Sequence, residues 1–163
     1  MIAQHLIDTP LGWMLLEGSE NELFKSFWIN EEDAVVGASI IKAKWLRDAE
    51  VQIREYFNGK RQIFSLPIGL NGSDFQKQIW TQLKEIPAGE TTSYGAMAET
   101  HGNRNLAQAV GGAIRANPLL VIIPCHRVIG SDGELTGYAG NLKRKQWLLE
   151  HEGAFHPSQL RLF

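Results

Sequence analysis

Apolar residues are spaced differently in the two halves of this chain. In the first 30 residues, short apolar segments alternate with turn-forming groups such as Asp8-Thr9-Pro10 and Gly18-Ser19-Glu20-Asn21. Segments of this length, bounded by such residues, are typical of antiparallel strands. The three segments lie at residues 3–7, 13–16 and 23–29. The pattern therefore predicts a small three-stranded antiparallel sheet.

A longer segment with near-helical spacing follows the predicted sheet. Residues 31–57 contain no proline and end at Asn58-Gly59, a typical helix terminus, so they predict one helix, with a start either at the beginning of the segment or later in it. Residues 63–68 predict a further strand, and Gly69-Leu70-Asn71-Gly72 predicts a linker. We therefore expect an N-terminal α/β domain at residues 1–70.

The apolar spacing is helical in most of the second half. Ser73 and Gln76 fit a capping box, which predicts a helix that begins at Ser73 and stops at Pro87. Two shorter helices are predicted at residues 93–101 and 104–115. Two short helices joined by a tight glycine-containing turn indicate a helix-turn-helix, although ordinary helical hairpins share this pattern.

The third predicted helix has two distinct faces. At about 100° per residue, an apolar face would point to the core and comprises Leu106, Ala109, Val110, Ala113 and Ile114. The opposite face is small in its middle and polar or basic around it, and comprises Arg104, Ala107, Gln108, Gly111 and Arg115. Glycine inside a helix costs up to about 1 kcal/mol relative to alanine. The Gly111-Gly112 pair therefore indicates close approach of another surface, either a partner or another part of this protein.

The last quarter of the chain combines a predicted hairpin with a helix. Residues 127–129 and 135–138 would pair around the turn Ser131-Asp132-Gly133, and Asn141 can cap a helix over residues 142–151. The first turn of that helix contains three cationic side chains, which the helix dipole disfavours at this position. They are Lys143, Arg144 and Lys145. Nearby phosphates would explain the placement, and so would side chains that extend into solvent. Residues 154–163 are expected to form a tail.

Composition and charge narrow the class of protein. With 44% hydrophobic and 21% charged residues, the 163-residue chain can form a globular core. No segment approaches the roughly 18 consecutive apolar residues of a membrane span, and the N-terminus has no secretory signal pattern. We expect a cytoplasmic protein with no membrane partner. Although the net charge is −2, residues 101–149 hold six Lys or Arg and only two Asp or Glu, which indicates either phosphate contact or a solvated surface.

Cys125 is the only cysteine, which excludes an intrachain disulfide and a multi-cysteine zinc site. The residues predict no metal site and no cofactor. A lone cysteine is commonly a small core residue, but His126 follows it directly. Pro124 ends the apolar run at residues 119–123, so we expect the thiol at the rim of a core.

Several motifs in this order and at these separations resemble those of the O6-alkylguanine-DNA alkyltransferases, also called methylated-DNA–protein-cysteine methyltransferases. The resemblance spans residues 73–153 and rests on Thr92-Ser93-Tyr94-Gly95, Ala109-Val110-Gly111-Gly112-Ala113, Asn117-Pro118, Ile123-Pro124-Cys125-His126-Arg127-Val128, Tyr138-Ala139-Gly140 and His151-Glu152-Gly153. It implies a ribonuclease-H-like α/β N-terminal domain and a mostly α C-terminal domain at residues 73–153 with a winged-helix-like helix-turn-helix.

The resemblance also implies a reaction. In this family the cysteine thiolate takes the alkyl group from O6-alkylguanine and keeps it as a thioether, so each molecule acts once. By resemblance Cys125 is the nucleophile, His126 takes its proton through a water, and Glu152 orients the histidine. Asn117 would hold the turn around the cysteine, and Tyr94 would donate to the departing guanine.

The implied partner is double-stranded DNA that contains O6-alkylguanine, with O4-methylthymine as a further substrate to test. The second helix of the motif would enter the minor groove while the damaged nucleotide is turned out of the duplex. We expect a monomer in solution that can cluster on DNA. The implied base pocket comprises Tyr94, Val128, Tyr138, Ala139 and Gly140. The implied DNA contacts are Arg104, Ala107, Gln108, Gly111, Arg115 and Lys145.

The chain departs from the family pattern at one important position. Gln108 stands where the family usually has an arginine that fills the space left by the flipped base. Glutamine is shorter and uncharged but can still hydrogen-bond to the orphaned base. Leu120 and Ala139 stand where other members carry proline and serine. These departures affect the expected affinity for DNA, the efficiency of base flipping and the tolerance for bulky alkyl groups. They do not change the expected reaction.

Three other classes of protein explain only part of the pattern. Alkyltransferase-like proteins share the DNA-binding half but lack the cysteine, so Cys125 argues against them. A helix-turn-helix regulator would explain the basic region but not the set of Cys125, His126 and Glu152. A thiol hydrolase would explain that set but not the outward face of the third helix.

Overall fold

The structure is a computed structural model that describes residues 2–35 and 42–154. It contains two compact units. The first comprises residues 1–71 with 118–122, and the second comprises residues 72–117 with 123–163. A small antiparallel sheet with one helix, followed by a mostly helical part, confirms the predicted fold class. The predicted tail lies outside the described residues from 155 onward.

The first unit is built on a three-stranded antiparallel sheet, as predicted. Its strands are β1 (Ala3–Thr9), β2 (Gly12–Gly18) and β3 (Leu23–Trp28), in the order β1-β2-β3. Alternate residues such as Ile7, Met14 and Leu16 are fully buried, which is the pattern of a sheet with one face against a core.

The segment predicted as one helix is divided. A 3-10 turn at Glu31–Val35 precedes residues 36–41, which lie outside the described part, and helix α1 runs from Leu46 to Phe57. Helix α1 buries Ala49, Ile53 and Tyr56.

The prediction of a strand at residues 63–68 is wrong. Only Ile68 forms a bridge, to Leu23. Residue 65 is instead held by the buried side chain of Gln52, whose amide donates to the Ser65 carbonyl at 3.0 Å and accepts from the Ser65 amide at 2.8 Å. A side chain thus supplies the hydrogen bonds that a neighbouring strand would otherwise provide.

Strand β3 also holds residues 118–120. The Ser26 amide donates to the Pro118 carbonyl at 2.9 Å, the Leu120 amide donates to the Ser26 carbonyl at 3.0 Å, and the Ser26 hydroxyl donates to the Leu120 carbonyl at 2.8 Å. Val121 follows with a φ of 73°, a strained conformation for a β-branched residue. These three hydrogen bonds hold the chain immediately before that strained residue.

The second unit contains four helices and a two-stranded parallel sheet among its described residues. They are α2 (Asp74–Leu83), β4 (Thr92–Ser93), α3 (Tyr94–Thr100), α4 (Ala107–Arg115), β5 (Val128–Ile129) and α5 (Leu142–His151). The predicted capping box is present, since Ser73 accepts from the Gln76 amide and Gln76 from the Ser73 amide. Asn141 caps α5 through the Arg144 amide, also as predicted.

Two predictions for this unit need correction. Residues 127–129 do not form a hairpin with 135–138, because β5 pairs in parallel with β4, Thr92 opposite Val128. The third predicted helix begins with a 3-10 turn at Arg104–Leu106 and becomes α-helical only at Ala107. None of the described helices is long and apolar enough to span a membrane.

We expect Ser26→Ala to lower the free energy of unfolding by about 1–3 kcal/mol, because it removes the hydroxyl that satisfies the buried Leu120 carbonyl. Urea unfolding measures this change. The control is Ser131→Ala at an exposed turn position, where a change within about 0.5 kcal/mol is expected. Equal effects of the two substitutions would show that the Ser26 hydroxyl does not stabilise the strained segment.

Candidate active site

Cys125 begins a single 3-10 turn, Cys125–Arg127, that directly follows Pro124. The thiol is only 3% exposed, so it lies deeper than the core rim that the sequence predicted. Burial raises the pKa of Cys125 to about 11, against the opposing effects of a hydrogen bond from the Asn117 side chain and of the Lys145 charge. The resting thiol is therefore protonated at neutral pH and needs a base before it can act as a nucleophile.

Asn117 connects the two sides of the cysteine segment. Its amide nitrogen Nδ2 donates to the Ile123 carbonyl at 2.9 Å, and its side chain also hydrogen-bonds to the Cys125 thiol. Asn117 is itself buried. The predicted hydrogen bond from this side chain to the backbone is thus present, and it fixes the chain two residues before the thiol.

His126 and Glu152 form a buried pair. Nε2 of His126 lies 2.7 Å from Oε2 of Glu152, and the two side chains are 0% and 2% exposed. Burial lowers the pKa of His126, although the hydrogen bond and charge of Glu152 oppose this shift. His126 is therefore neutral at neutral pH and can accept a proton.

Arg127 completes this array and was not recognised as a site residue from the sequence. Its Nε donates to Oε1 of Glu152 and its Nη2 to Oε2, both at 2.9 Å, while Nη1 donates to the Ile86 carbonyl at 2.6 Å. Burial alone would raise the pKa of Glu152, but its hydrogen bonds and ion pairs with His126 and Arg127 hold that pKa well below its usual range. The only sequence signal was the place of Arg127 directly after His126.

The second ring nitrogen of His126 has no hydrogen-bond partner among the described residues. This atom, Nδ1, is buried. Because Nε2 faces a carboxylate that can only accept, we assign the ring hydrogen to Nε2 and a free lone pair to Nδ1. Nδ1 can therefore take a proton.

Lys145 does not lie on the surface, which corrects its prediction as a DNA contact. Its side chain is 0% exposed, and Nζ donates to the Val128 carbonyl at 2.6 Å and to the Thr136 carbonyl at 2.7 Å. Burial lowers the pKa of Lys145 to about 8, and the charge of Cys125 acts in the opposite direction. Its charge therefore acts inside the second unit, near the thiol.

Tyr94 lies at the edge of a cavity of about 550 Å³. The hydroxyl of Thr136, a residue not singled out from the sequence, lies 3.3 Å from the Tyr94 hydroxyl. The walls of the cavity come from α3, α4 and the loop before α5, and comprise Tyr94, Ala107, Gln108, Gly111, Arg115, Thr136 and Gly137. Four predicted DNA contacts therefore line the same cavity as Tyr94.

The other predicted pocket residues lie at different depths, and only two of them are shown beside the turn that carries Cys125. Val128 is buried in β5, and the Tyr138 ring meets the His126 ring edge-on with 6.3 Å between centroids. Ala139 is exposed, and the carbonyl of buried Gly140 accepts from Nη1 of Arg144 at 3.2 Å.

The exposed face of α4 is rotated by about one residue from the predicted one. Gln108 and Arg115 are exposed as expected, but Gly111 is buried and Ala109 is exposed. A side chain at Gly111 would come within 3.3 Å of the Arg115 guanidinium and 3.8 Å of the Tyr94 ring. Arg104, the remaining predicted DNA contact, is exposed and paired with Glu99.

The described residues contain no group of three His, Cys, Asp or Glu side chains that could hold a metal ion.

Acid should destabilise the protein through Glu152 and His126. In the folded protein the pKa of Glu152 is lower than its ordinary value of 4.5, and the pKa of His126 is lower than its ordinary value of 6.5. The unfolded chain therefore binds more protons than the folded protein as the pH falls. Stability should decrease below about pH 6.5 because of His126, and again below about pH 4.5 because of Glu152. Glu152→Gln should lower stability at pH 7 by about 3–5 kcal/mol and weaken the loss below pH 4.5. Chemical unfolding at several pH values measures both effects. The control is Glu150→Gln, two residues earlier on α5, which should keep the wild-type dependence of stability on pH.

Comparisons with known proteins agree with this geometry. Residues 74–154 match the model of the 6-O-methylguanine DNA methyltransferase DNA-binding domain, and residues 2–70 match the ribonuclease-like domain of the same proteins. A methylated-DNA–protein-cysteine methyltransferase of Methanosarcina acetivorans is 40% identical over 151 residues, which cover 91% of this chain and 97% of that protein.

Solved structures agree as well. The crystal structure of Mycobacterium tuberculosis O6-methylguanine methyltransferase is 38% identical and superposes with a TM-score of 0.82 over 97% of this chain and 96% of that one. The Mycobacterium tuberculosis protein OGT in complex with DNA is 37% identical, with a TM-score of 0.82 over 96% of each chain. The chain therefore belongs to the methylated-DNA–protein-cysteine methyltransferases, DNA-binding enzymes of O6-methylguanine repair.

Proposed function

We propose that the protein turns O6-alkylguanine out of duplex DNA into the cavity beside Tyr94 and transfers the alkyl group irreversibly to Cys125, once per molecule. The observation that carries this proposal is the array of His126, Glu152 and Arg127 next to the only thiol of the chain. That array and the helix-turn-helix belong to the same compact unit.

In the proposed mechanism, His126 is the base that activates Cys125. Its neutral state and the free lone pair on Nδ1 suit it to accept the thiol proton through one bridging water. Glu152 then stabilises the imidazolium that forms, and Arg127 keeps Glu152 ionised. The nearby charge of Lys145 favours the thiolate.

The transfer itself is a displacement at the alkyl carbon. The sulfur forms a bond to that carbon, the bond between the carbon and guanine O6 breaks, and its electron pair leaves with guanine. Tyr94 donates a hydrogen bond and a proton to the departing base, while the proton from Cys125 replaces it by way of His126. The product is neutral guanine and a thioether. Because water does not displace the cysteine sulfur from a thioether at neutral pH, the cycle ends there.

The DNA contact is assigned to α3 and α4. Gln108 and Arg115 are exposed on α4, and half-buried Ala107 lines the cavity beside them, so backbone of a bound duplex can approach closely. Arg104 and Arg115 would contact phosphates. Minor-groove entry with base flipping costs a few kcal/mol, and hydrogen bonds within the cavity would offset this cost.

The same pocket chemistry extends to related lesions. O4-methylthymine also carries its methyl group on an exocyclic oxygen, so it is the further substrate to test. In the proposed cycle one protein acts on one lesion as a monomer. Neighbouring copies can bind adjacent sites on DNA.

Mass spectrometry after incubation with a duplex that contains O6-methylguanine should show one added CH2 unit on the Cys125 peptide. Repaired guanine should equal the protein in amount, with no further turnover, because the thioether is not hydrolysed. Cys125→Ser should still bind DNA but carry no adduct. Repair in excess of protein, or an adduct on another residue, would contradict single transfer to Cys125.

Gln108→Arg should tighten binding to methylated duplex or speed its repair, by roughly three- to tenfold at low salt, because it adds a cation that the polyanionic duplex attracts and a longer side chain that can fill the space left by the flipped base. Binding and single-turnover rates at two salt concentrations measure the effect. Gln62→Arg adds the same charge at an exposed position of the first unit and is the matched control. Unchanged kinetics and affinity in Gln108→Arg would show that Gln108 does not limit flipping.

A further inference from the structure

Two hydroxyl groups from distant parts of the sequence meet in the cavity of the second unit. Oγ1 of Thr136 lies 3.3 Å from the phenolic oxygen of Tyr94, and both residues line the cavity. We assign Thr136 as the donor of this hydrogen bond. Within the described part of the chain, this is the hydrogen bond that the Tyr94 hydroxyl makes. Thr136 is therefore placed to control how Tyr94 presents its hydroxyl hydrogen.

The backbone of Thr136 is fixed although it belongs to a loop. Its carbonyl accepts from Nζ of Lys145 at 2.7 Å, and the same nitrogen donates to the Val128 carbonyl at 2.6 Å. Val128 is paired in register with Thr92, two residues before Tyr94. Lys145 thus connects the segment that carries Thr136 to the pair of strands β4 and β5, and β4 ends directly before Tyr94.

The direction of the hydrogen bond decides what Tyr94 can do. A phenol has one hydrogen to donate and lone pairs to accept. When Thr136 donates to the phenolic oxygen, the hydrogen of Tyr94 remains available to another acceptor, and the accepted bond makes Tyr94 a stronger donor. If Tyr94 instead gave its hydrogen to the protein, it could not serve a departing base.

We propose that Thr136 is a positioning residue for alkyl transfer, which holds the Tyr94 hydroxyl as an acceptor so that its hydrogen is directed into the cavity toward the departing guanine. This inference rests on the role of Tyr94 in the proposed function. It assigns Thr136 no contact with the reacting atoms. Lys145 contributes by holding the Thr136 carbonyl.

The test compares Thr136→Val with Thr136→Ser. Valine keeps the branched shape and removes the hydroxyl, whereas serine keeps the hydroxyl. Under single-turnover conditions with saturating O6-methylguanine duplex, Thr136→Val should lower the transfer rate roughly five- to tenfold, which corresponds to the loss of one hydrogen bond. Its affinity for unmethylated duplex should change by less than about twofold, since Thr136 is not assigned a DNA contact. Thr136→Ser should restore most of the lost rate.

A merely structural role is tested by the reactivity of Cys125 toward iodoacetamide, which requires the thiol and its surroundings but no leaving-group donor. Thr136→Val should leave this reactivity within about twofold of wild type, less than the loss of a hydrogen bond would cause. A parallel fall in iodoacetamide reactivity and methyl transfer would overturn the positioning role and indicate a disturbed site.

The decisive measurement is a double-mutant cycle with Tyr94→Phe. If Thr136 acts through the Tyr94 hydroxyl, Thr136→Val should cause no further loss once that hydroxyl is absent. Full additivity would overturn the inference. A slow Tyr94→Phe variant together with wild-type rates for Thr136→Val would also overturn it but leave the proposed function intact. Wild-type rates for Tyr94→Phe would overturn both the donor role of Tyr94 and this inference.

Discussion

A buried carboxylate organises the candidate active site of this protein. The Glu152 side chain is 2% exposed, and its charge is compensated by Arg127 and by the hydrogen bond to His126. An unpaired charge at this depth would be very costly in free energy. Removal of any one of the three side chains would therefore destabilise the other two. Arg127 also reaches the Ile86 carbonyl. The array therefore joins the end of α5, the turn that carries Cys125 and the chain after α2, and it fixes the histidine ring while doing so.

The burial of this region also sets the resting state of the proposed nucleophile. Burial raises the pKa of Cys125 to about 11 and lowers that of His126, so both groups are neutral at rest. A neutral, buried thiol reacts slowly with general electrophiles. For a protein proposed to act once, this low reactivity would preserve the single thiol until a bound substrate presents an alkyl carbon. The charges of Lys145 and Arg127 then favour the thiolate and the ionised Glu152 that the transfer requires.

Sequence predictions succeeded where the signal was local. The capping box at Ser73 and the cap at Asn141 depend on residues three positions apart, and both are present. The predictions failed where the structure depends on a contact with a residue that is distant in the sequence. Residues 128–129 pair with 92–93 rather than with the nearby segment 135–138. Lys145 looked like part of a surface cluster, because charge alone does not reveal that two carbonyls from other segments surround its ammonium group. Arg127 was missed as a site residue for the same reason, since its partner Glu152 is 25 residues away.

The structure also separates the two glycines of α4, which the sequence treated as one feature. Gly111 is buried, and a side chain there would lie 3.3 Å from the Arg115 guanidinium, which can move, and 3.8 Å from the Tyr94 ring, which is an ordinary packing distance. Gly112 is exposed, and a side chain there would meet nothing within 4 Å. Internal packing therefore does not account for the roughly 1 kcal/mol of helix stability that this glycine costs relative to alanine. Gly112 lies one turn from Gln108 on the exposed face of α4, where the missing side chain leaves the helix backbone open to an approaching surface. In the proposed complex, the DNA backbone can therefore approach α4 at Gly112 without meeting a side chain of this protein.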